Sequence, residues 1–261
     1  MHGISKAEGS KIPAITLGFW IIKIAATTLG ETGGDALSMT LKLGYAVSTG
    51  IFFAFFLATV IPQIRARSYH PFLYWAVIVA TTTVGTTMAD FADRSLGIGY
   101  IGGSLILFAL LIAVLLAWWR SVGTVSVTAI ATPQAEAFYW ATILASNTLG
   151  TALGDFVADD SGLGYEGSAL VFAGLIALVA AAYFLTSASH TLLFWAAFIL
   201  TRPLGATLGD LLTKPLADGG LALSRFSSSG FIAVFIIVCI LTLSRQAGAH
   251  PGGQSEPLGR H

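Results

Sequence analysis

Charge is what this chain has least of. Asp, Glu, Lys and Arg together make up 10% of its 261 residues, against about a quarter in soluble domains, too few to cover the surface of a water-soluble protein. Cysteine is nearly absent as well. The single Cys239 lies inside an apolar run, which excludes a disulfide framework and a thiolate metal site. Strict alternation of apolar and polar residues is also missing, and with it the signature of a membrane barrel. What is present is continuous apolarity: 55% of the residues are hydrophobic, in runs suited to a bilayer span of about 20 residues. Eight runs stand out: Ile12–Gly30, Leu43–Pro62, Phe72–Ala89, Ile98–Trp119, Ala137–Gly154, Tyr165–Leu185, Leu192–Leu212 and Leu221–Leu243. They predict an all-α membrane protein with eight transmembrane helices.

The first run follows a weakly basic start with Lys6 and Lys11, but it contains Lys23 and Glu31 and no small-residue cleavage pattern follows. It is therefore expected to be a mature span rather than a secretory signal. Residues 1–12 form a short N-terminal segment, residues 13–245 the transmembrane domain, and the Gly- and Pro-containing tail 246–261 is expected to be disordered. Basic residues favour the termini and the turns after spans 2, 4 and 6, through Lys6, Lys11, Arg65, Arg67, Arg120, Arg245 and Arg260. That bias predicts both termini in the cytoplasm. Nearly all the acidic residues fall at the other end of the spans.

One frame recurs four times: a Trp, a Gly ten residues later, and an Asp five residues after that. The copies are Trp20/Gly30/Asp35, Trp75/Gly85/Asp90, Trp140/Gly150/Asp155 and Trp195/Gly205/Asp210. Successive Asp residues are 55, 65 and 55 apart, so Asp35 to Asp155 and Asp90 to Asp210 both span 120. The unit is thus a two-helix hairpin, paired and then duplicated, with repeats at about 13–67, 68–120, 133–187 and 188–245. Two spans per unit make successive repeats enter the membrane from the same side. The expected architecture is four parallel hairpin repeats in a pseudo-symmetric bundle, with the four Asp residues ringing its axis.

Helical periodicity places further oxygens on the face of each Asp: Thr28 and Glu31 below Asp35, Thr83 and Thr86 below Asp90, Thr148 and Thr151 below Asp155. The fourth repeat departs from the pattern, with Pro203 and Ala206 ahead of Asp210 and with Arg202 and Lys214 nearby. GxxxG pairs at Gly30/Gly34, Gly150/Gly154 and Gly205/Gly209, and the small-residue variant Gly85/Ala89, allow close helix approach just before each Asp. The plainer reading is that these glycines only pack helices and that each Asp marks a span end at the water interface. Tyr45, Tyr100 and Tyr165, each ten residues after an Asp, read as interfacial anchors.

The chain resembles the uncharacterised bacterial membrane proteins built from four tandem two-helix repeats, each repeat carrying a tryptophan. The matching residues are Trp20, Trp75, Trp140 and Trp195 with their downstream Gly and Asp, over nearly all of the chain from about Pro13 to Ser244. This resemblance implies a bacterial inner-membrane protein and supplies neither a substrate nor a site residue.

Ligand chemistry must therefore come from the residues themselves. Carboxylate and hydroxyl oxygens, without imidazole or thiolate, suit a hard cation such as Mg²⁺, Ca²⁺ or Mn²⁺. The leading expectation is a metal-cation transporter, with Asp35, Asp90, Asp155 and Asp210 as ligands and Thr28, Glu31, Thr83, Thr86, Thr148, Thr151 and Arg202 lining the site. The alternative is a proton-coupled carrier of a small organic solute, its anionic group held by Arg202, Lys23 and Lys214. No enzyme is expected, since no nucleophile accompanies a base in the repeated frame, and no resident cofactor, the metal being substrate. The expected partners are the lipid bilayer and the carried solute, with no nucleic acid and with a homodimer permitted by the glycine-rich faces.

Overall fold

A computed structural model of the chain describes residues 11–127, 130, 132–244 and 247–248. Eight long helices occur among them: α1 (Leu17–Asp35), α2 (Gly44–Arg65), α3 (Pro71–Asp90), α4 (Tyr100–Val122), α5 (Pro133–Asp155), α6 (Gly164–Leu185), α7 (His190–Thr213) and α8 (Arg225–Leu243). Local chemistry sets their starts. Pro71 and Pro133 occupy first-turn positions where a missing N–H costs nothing. The Thr132 hydroxyl accepts from the Ala135 amide at 3.1 Å, an N-cap of the usual kind.

Six helices, α2, α3, α4, α6, α7 and α8, are long and apolar enough to cross a bilayer. The other two are the most polar along their length, with Lys23, Glu31 and Asp35 in α1 and Glu136, Asn147 and Asp155 in α5. Their position explains how they tolerate this. The odd-numbered helices form a closed ring, α1 on α3, α3 on α5, α5 on α7 and α7 on α1, while each even-numbered helix lies outside it. Burial separates the two sets: 72% and 67% of the apolar windows of α3 and α7 are buried, against 11–22% for α2, α4, α6 and α8. Outward-facing Leu105, Phe184 and Phe231 are exposed, as side chains meeting lipid would be.

The two helices of one repeat scarcely pack on each other, so the expected hairpins are not the units of packing. Each even helix lies chiefly on the odd helix of the following repeat: α2 on α3, α4 on α5, α6 on α7, and α8 back on α1. Every repeat therefore lends its outer helix to its neighbour, and the last lends to the first. Segments near the two ends of the chain meet where that circle closes. Pro13 and Ala247 form an isolated β-bridge, and the Gly248 amide donates to the Ile12 carbonyl at 2.7 Å. Of the N-terminal segment and tail expected from the sequence, only Lys11, Ile12, Ala247 and Gly248 belong to the described residues.

After its Asp, each of the first three odd helices widens into one π-helical turn, at Ala36–Thr40, Phe91–Ser95 and Phe156–Asp160. Gly44, Gly99 and Gly164 then take positive φ, 76°, 74° and 63°, to start the outer helices, a conformation that glycine adopts without Cβ strain. The fourth repeat ends differently. Lys214 and Pro215 stop α7, and a short 3₁₀ turn, Leu216–Asp218, replaces the wide one, since Pro215 has no N–H to give a continuing helix.

Candidate functional site

The ring is built in levels four residues apart, about 6 Å of helix rise each. Counting from the repeated Trp, the level one residue before it is aromatic: Phe19, Tyr74, Tyr139 and Phe194. Each of these packs on the Trp of the next repeat, Phe19 on Trp75 (5.5 Å between ring centroids), Tyr74 on Trp140 (5.5 Å), Tyr139 on Trp195 (6.2 Å) and Phe194 on Trp20 (5.8 Å). Inside this belt the Tyr74 and Tyr139 hydroxyls are 2.6 Å apart. The level above holds Lys23, Ile78, Ile143 and Phe198, all fully buried. Its one charge, the Lys23 ammonium, lies 4.1 Å from the Phe198 ring centroid and donates to Asn147 Oδ1 at 3.3 Å.

Seven residues after each Trp come Thr27, Thr82, Asn147 and Arg202, also without exposure. This level explains the repeated glycine. A Cβ on Gly30 would land on the Thr82 side chain and one on Gly205 on that of Thr27; on Gly150 it would sit 2.5 Å from Arg202 Cβ, and on Gly85 3.0 Å from the Asn147 and Thr148 backbone. Each frame glycine thus seats a side chain or backbone of the next repeat, including the fourth on the first.

The next level is polar and draws one group from each of three helices around an arginine of the fourth. Arg202 Nη2 of α7 donates to Glu31 Oε2 of α1 (2.9 Å), Thr86 Oγ1 of α3 (2.5 Å) and Thr151 Oγ1 of α5 (2.6 Å). Glu31 is 3% exposed and Arg202 0%, a desolvated pair whose removal by halves would leave an uncompensated charge.

Above it lie Asp35, Asp90, Asp155 and Asp210, all buried. They do not form an even ring of bare carboxylates. Arg94 joins two of them, with Nε 3.1 Å from Asp90 Oδ1 and Nη2 3.2 Å from Asp155 Oδ2. Lys214 joins the other two, its Nζ 3.1 Å from both Asp35 Oδ2 and Asp210 Oδ1, and Arg225 Nε reaches Asp35 at 3.4 Å. Burial works against the Lys214 ammonium, but Asp210 and Asp35 outweigh it and hold its pKa well above the ordinary lysine range. Glu31, Asp35 and Asp210 offer carboxylate oxygens that all lie within 4.8 Å of one another, close enough to share one cation.

Four successive stretches of the chain, 18–69, 73–124, 138–189 and 193–248, match a single family, described as Repeat of Unknown Function (DUF347). The chain belongs to this family. No curated protein and no solved structure matches it. Each stretch of this repeat family begins within two residues of the frame Trp, so the matched unit and the unit of ring packing share one register.

Of the residues singled out from the sequence, the structure gathers Glu31, Thr86 and Thr151 at one level, bound by Arg202 from the level below, and the four Asp residues at the next. Thr28, Thr83 and Thr148 stand apart: their hydroxyls donate to Ile24, Val79 and Leu144 carbonyls of their own helices at 3.0, 2.7 and 2.9 Å. The oxygens and amides that face the neighbouring repeat are one residue earlier, at Thr27, Thr82 and Asn147. Sequence reasoning missed Arg94 as a site residue and gave Lys214 only to the alternative reading. The signal was there: both stand four residues after their Asp and they are 120 apart, the period of the duplication.

Proposed function

We propose that this protein is a transporter of the bacterial inner membrane that carries a hard metal cation, with Glu31, Asp35 and Asp210 as its binding carboxylates. One observation carries the reading: three buried carboxylates from two adjacent ring helices approach within 4.8 Å where the four repeats converge. Carboxylates held together without a cation repel, and oxygen donors of this type suit Mg²⁺, Ca²⁺ or Mn²⁺. The Lys214 ammonium fills that need in the unloaded site, lying 3.1 Å from two of the three groups. A divalent ion then binds by taking the place of this side chain.

In this reading all eight helices cross the bilayer, with α1 and α5 shielded by their neighbours, and both termini are cytoplasmic. The tryptophan belt closes the cytoplasmic end of the ring, so the carboxylates are served from the other side. Asp90 and Asp155, joined by Arg94, serve as a fixed wall rather than as ligands. The protein acts as a carrier, not an enzyme, and the ion is its substrate.

The test is elemental analysis of Mg, Ca, Mn, Fe, Co, Ni and Zn in cells expressing the wild type or the variants Glu31→Gln, Asp35→Asn and Asp210→Asn. One metal should change with the wild type and return to the vector level with each variant. Uniform metal content across all four strains, with the proteins present in the membrane, would sink the proposal.

A further inference from the structure

Arg202 is used on one side only. Its guanidinium carries five N–H donors. The two on Nη2 serve three acceptors, Glu31, Thr86 and Thr151. The three on Nε and Nη1 have no hydrogen-bond partner, although the residue has no exposure at all. One level below, the Lys23 ammonium has three donors and one acceptor, Asn147 Oδ1. Because Asn147 belongs to Arg202's own level, the two cations stand at adjoining levels of the ring. Against their two positive charges these two levels hold no carboxylate, and Glu31, one level up, is already engaged with Nη2. Buried donors without acceptors and buried charge without a counter-charge are both costly, and an anion meets both needs at once.

We propose that a small monovalent anion of the halide class binds between the Nε/Nη1 edge of Arg202 and the Lys23 ammonium. Ile78, Ile143 and Phe198 at the Lys23 level and Thr82 at the Arg202 level are all fully buried, so the ligand is small. Planar carboxylates of organic solutes share the charge but bring a body that these side chains exclude. The fourth repeat's departure from the threonine pattern at position 202 gains a purpose: it makes the ring's centre an anion site beneath a cation site. This inference concerns residues outside the carboxylate triad, and it stands or falls separately from the cation reading.

The experiment uses the full chain purified in detergent, in chloride-free gluconate buffer of constant ionic strength. Sodium bromide and sodium chloride should raise the thermal unfolding midpoint in a saturable way, and sodium acetate should not. Lys23→Met should weaken the apparent anion affinity about tenfold or more, and Arg202→Gln should abolish the effect. Crystals soaked in bromide should show an anomalous peak within hydrogen-bond distance of Arg202 Nε or Nη1. Where a variant does not fold, the wild-type titration and the anomalous map decide the matter alone. An unfolding midpoint indifferent to halide, with a water in place of the anomalous peak, would overturn the proposal. A peak that persists unchanged in Arg202→Gln would mean an adventitious ion only, and would overturn it equally. A saturable response to acetate as strong as that to halide would overturn the choice of a halide-class ligand.

Discussion

The two halves of the acidic level solve one electrostatic problem in two ways. On the α3/α5 side a guanidinium joins Asp90 to Asp155; on the α7/α1 side an ammonium joins Asp210 to Asp35. Both bases stand four residues after the Asp of the second member of a repeat pair, so the halves descend from one arrangement. A planar fork that binds each carboxylate through a different nitrogen is fixed in geometry and always charged. An ammonium is a compact point charge on a flexible stem. The half with the ammonium is also the half that gathers a third carboxylate, Glu31. The two halves thus share a bridging base at one position and differ in its chemistry and in the number of carboxylates around it.

The most severe way to break this comparison is to cut the link beneath both halves. Arg202→Met leaves Glu31 buried and unpaired, and should cost about 3–5 kcal/mol, read as a large drop in thermal unfolding midpoint in detergent. The double variant Arg202→Met/Glu31→Gln should recover much of that loss, because the uncompensated charge is gone. Next in size, Gly205→Ala places a methyl on Thr27 across the α7/α1 seam. It should cost about 1–3 kcal/mol, whereas Gly33→Ala, with nothing within 4 Å, should cost none. The two bridging bases then separate by readout. Lys214→Gln should raise metal affinity in an equilibrium binding assay by about tenfold. Arg94→Gln should leave that affinity nearly unchanged and cost about 1 kcal/mol of stability, its charged hydrogen bonds discounted because the side chain is 30% exposed. Smallest in function, Thr28→Val, Thr83→Val and Thr148→Val each remove one hydrogen bond to their own helix and should cost at most about 1 kcal/mol with metal transport unchanged. A loss of transport in these three would restore them to the site and contradict the arrangement of the ring in levels.

Much of this was legible in the residues. A frame that recurs at 55, 65 and 55 residues, with Gly and Asp at fixed offsets, already places four carboxylates in register and makes four structural units. The glycine also declared itself through spacing, although its partner did not. Helical periodicity tells which face of a segment is buried, but not which helix meets it, so nothing in a single span reveals that α2 lies on α3 rather than on α1. The same limit explains the threonines. Residues seven and eight after the Trp are both within the arc that a helix turns inward, and only the neighbour's backbone, approaching at Gly30 and Gly205, decides between Thr27 and Thr28 or between Thr82 and Thr83. Arg94 and Lys214 were obscured for a different reason. Basic residues at span ends have an ordinary role as topology signals, and nothing at the level of composition distinguishes a flanking arginine from one turned back onto two acids.

The return of α8 onto α1 bears on how such a molecule can be cut and rejoined. A chain whose last repeat supplies what its first repeat needs is a circle interrupted once, and the interruption at Pro13 and Ala247 is mended by a backbone bridge. Opening the circle instead in the segment 123–132, between the duplicated pairs, should give two half-molecules of two repeats each. Neither half can shield its own first helix, so each should be insoluble in the bilayer as a monomer, and together they should reassemble into the intact ring without a covalent link.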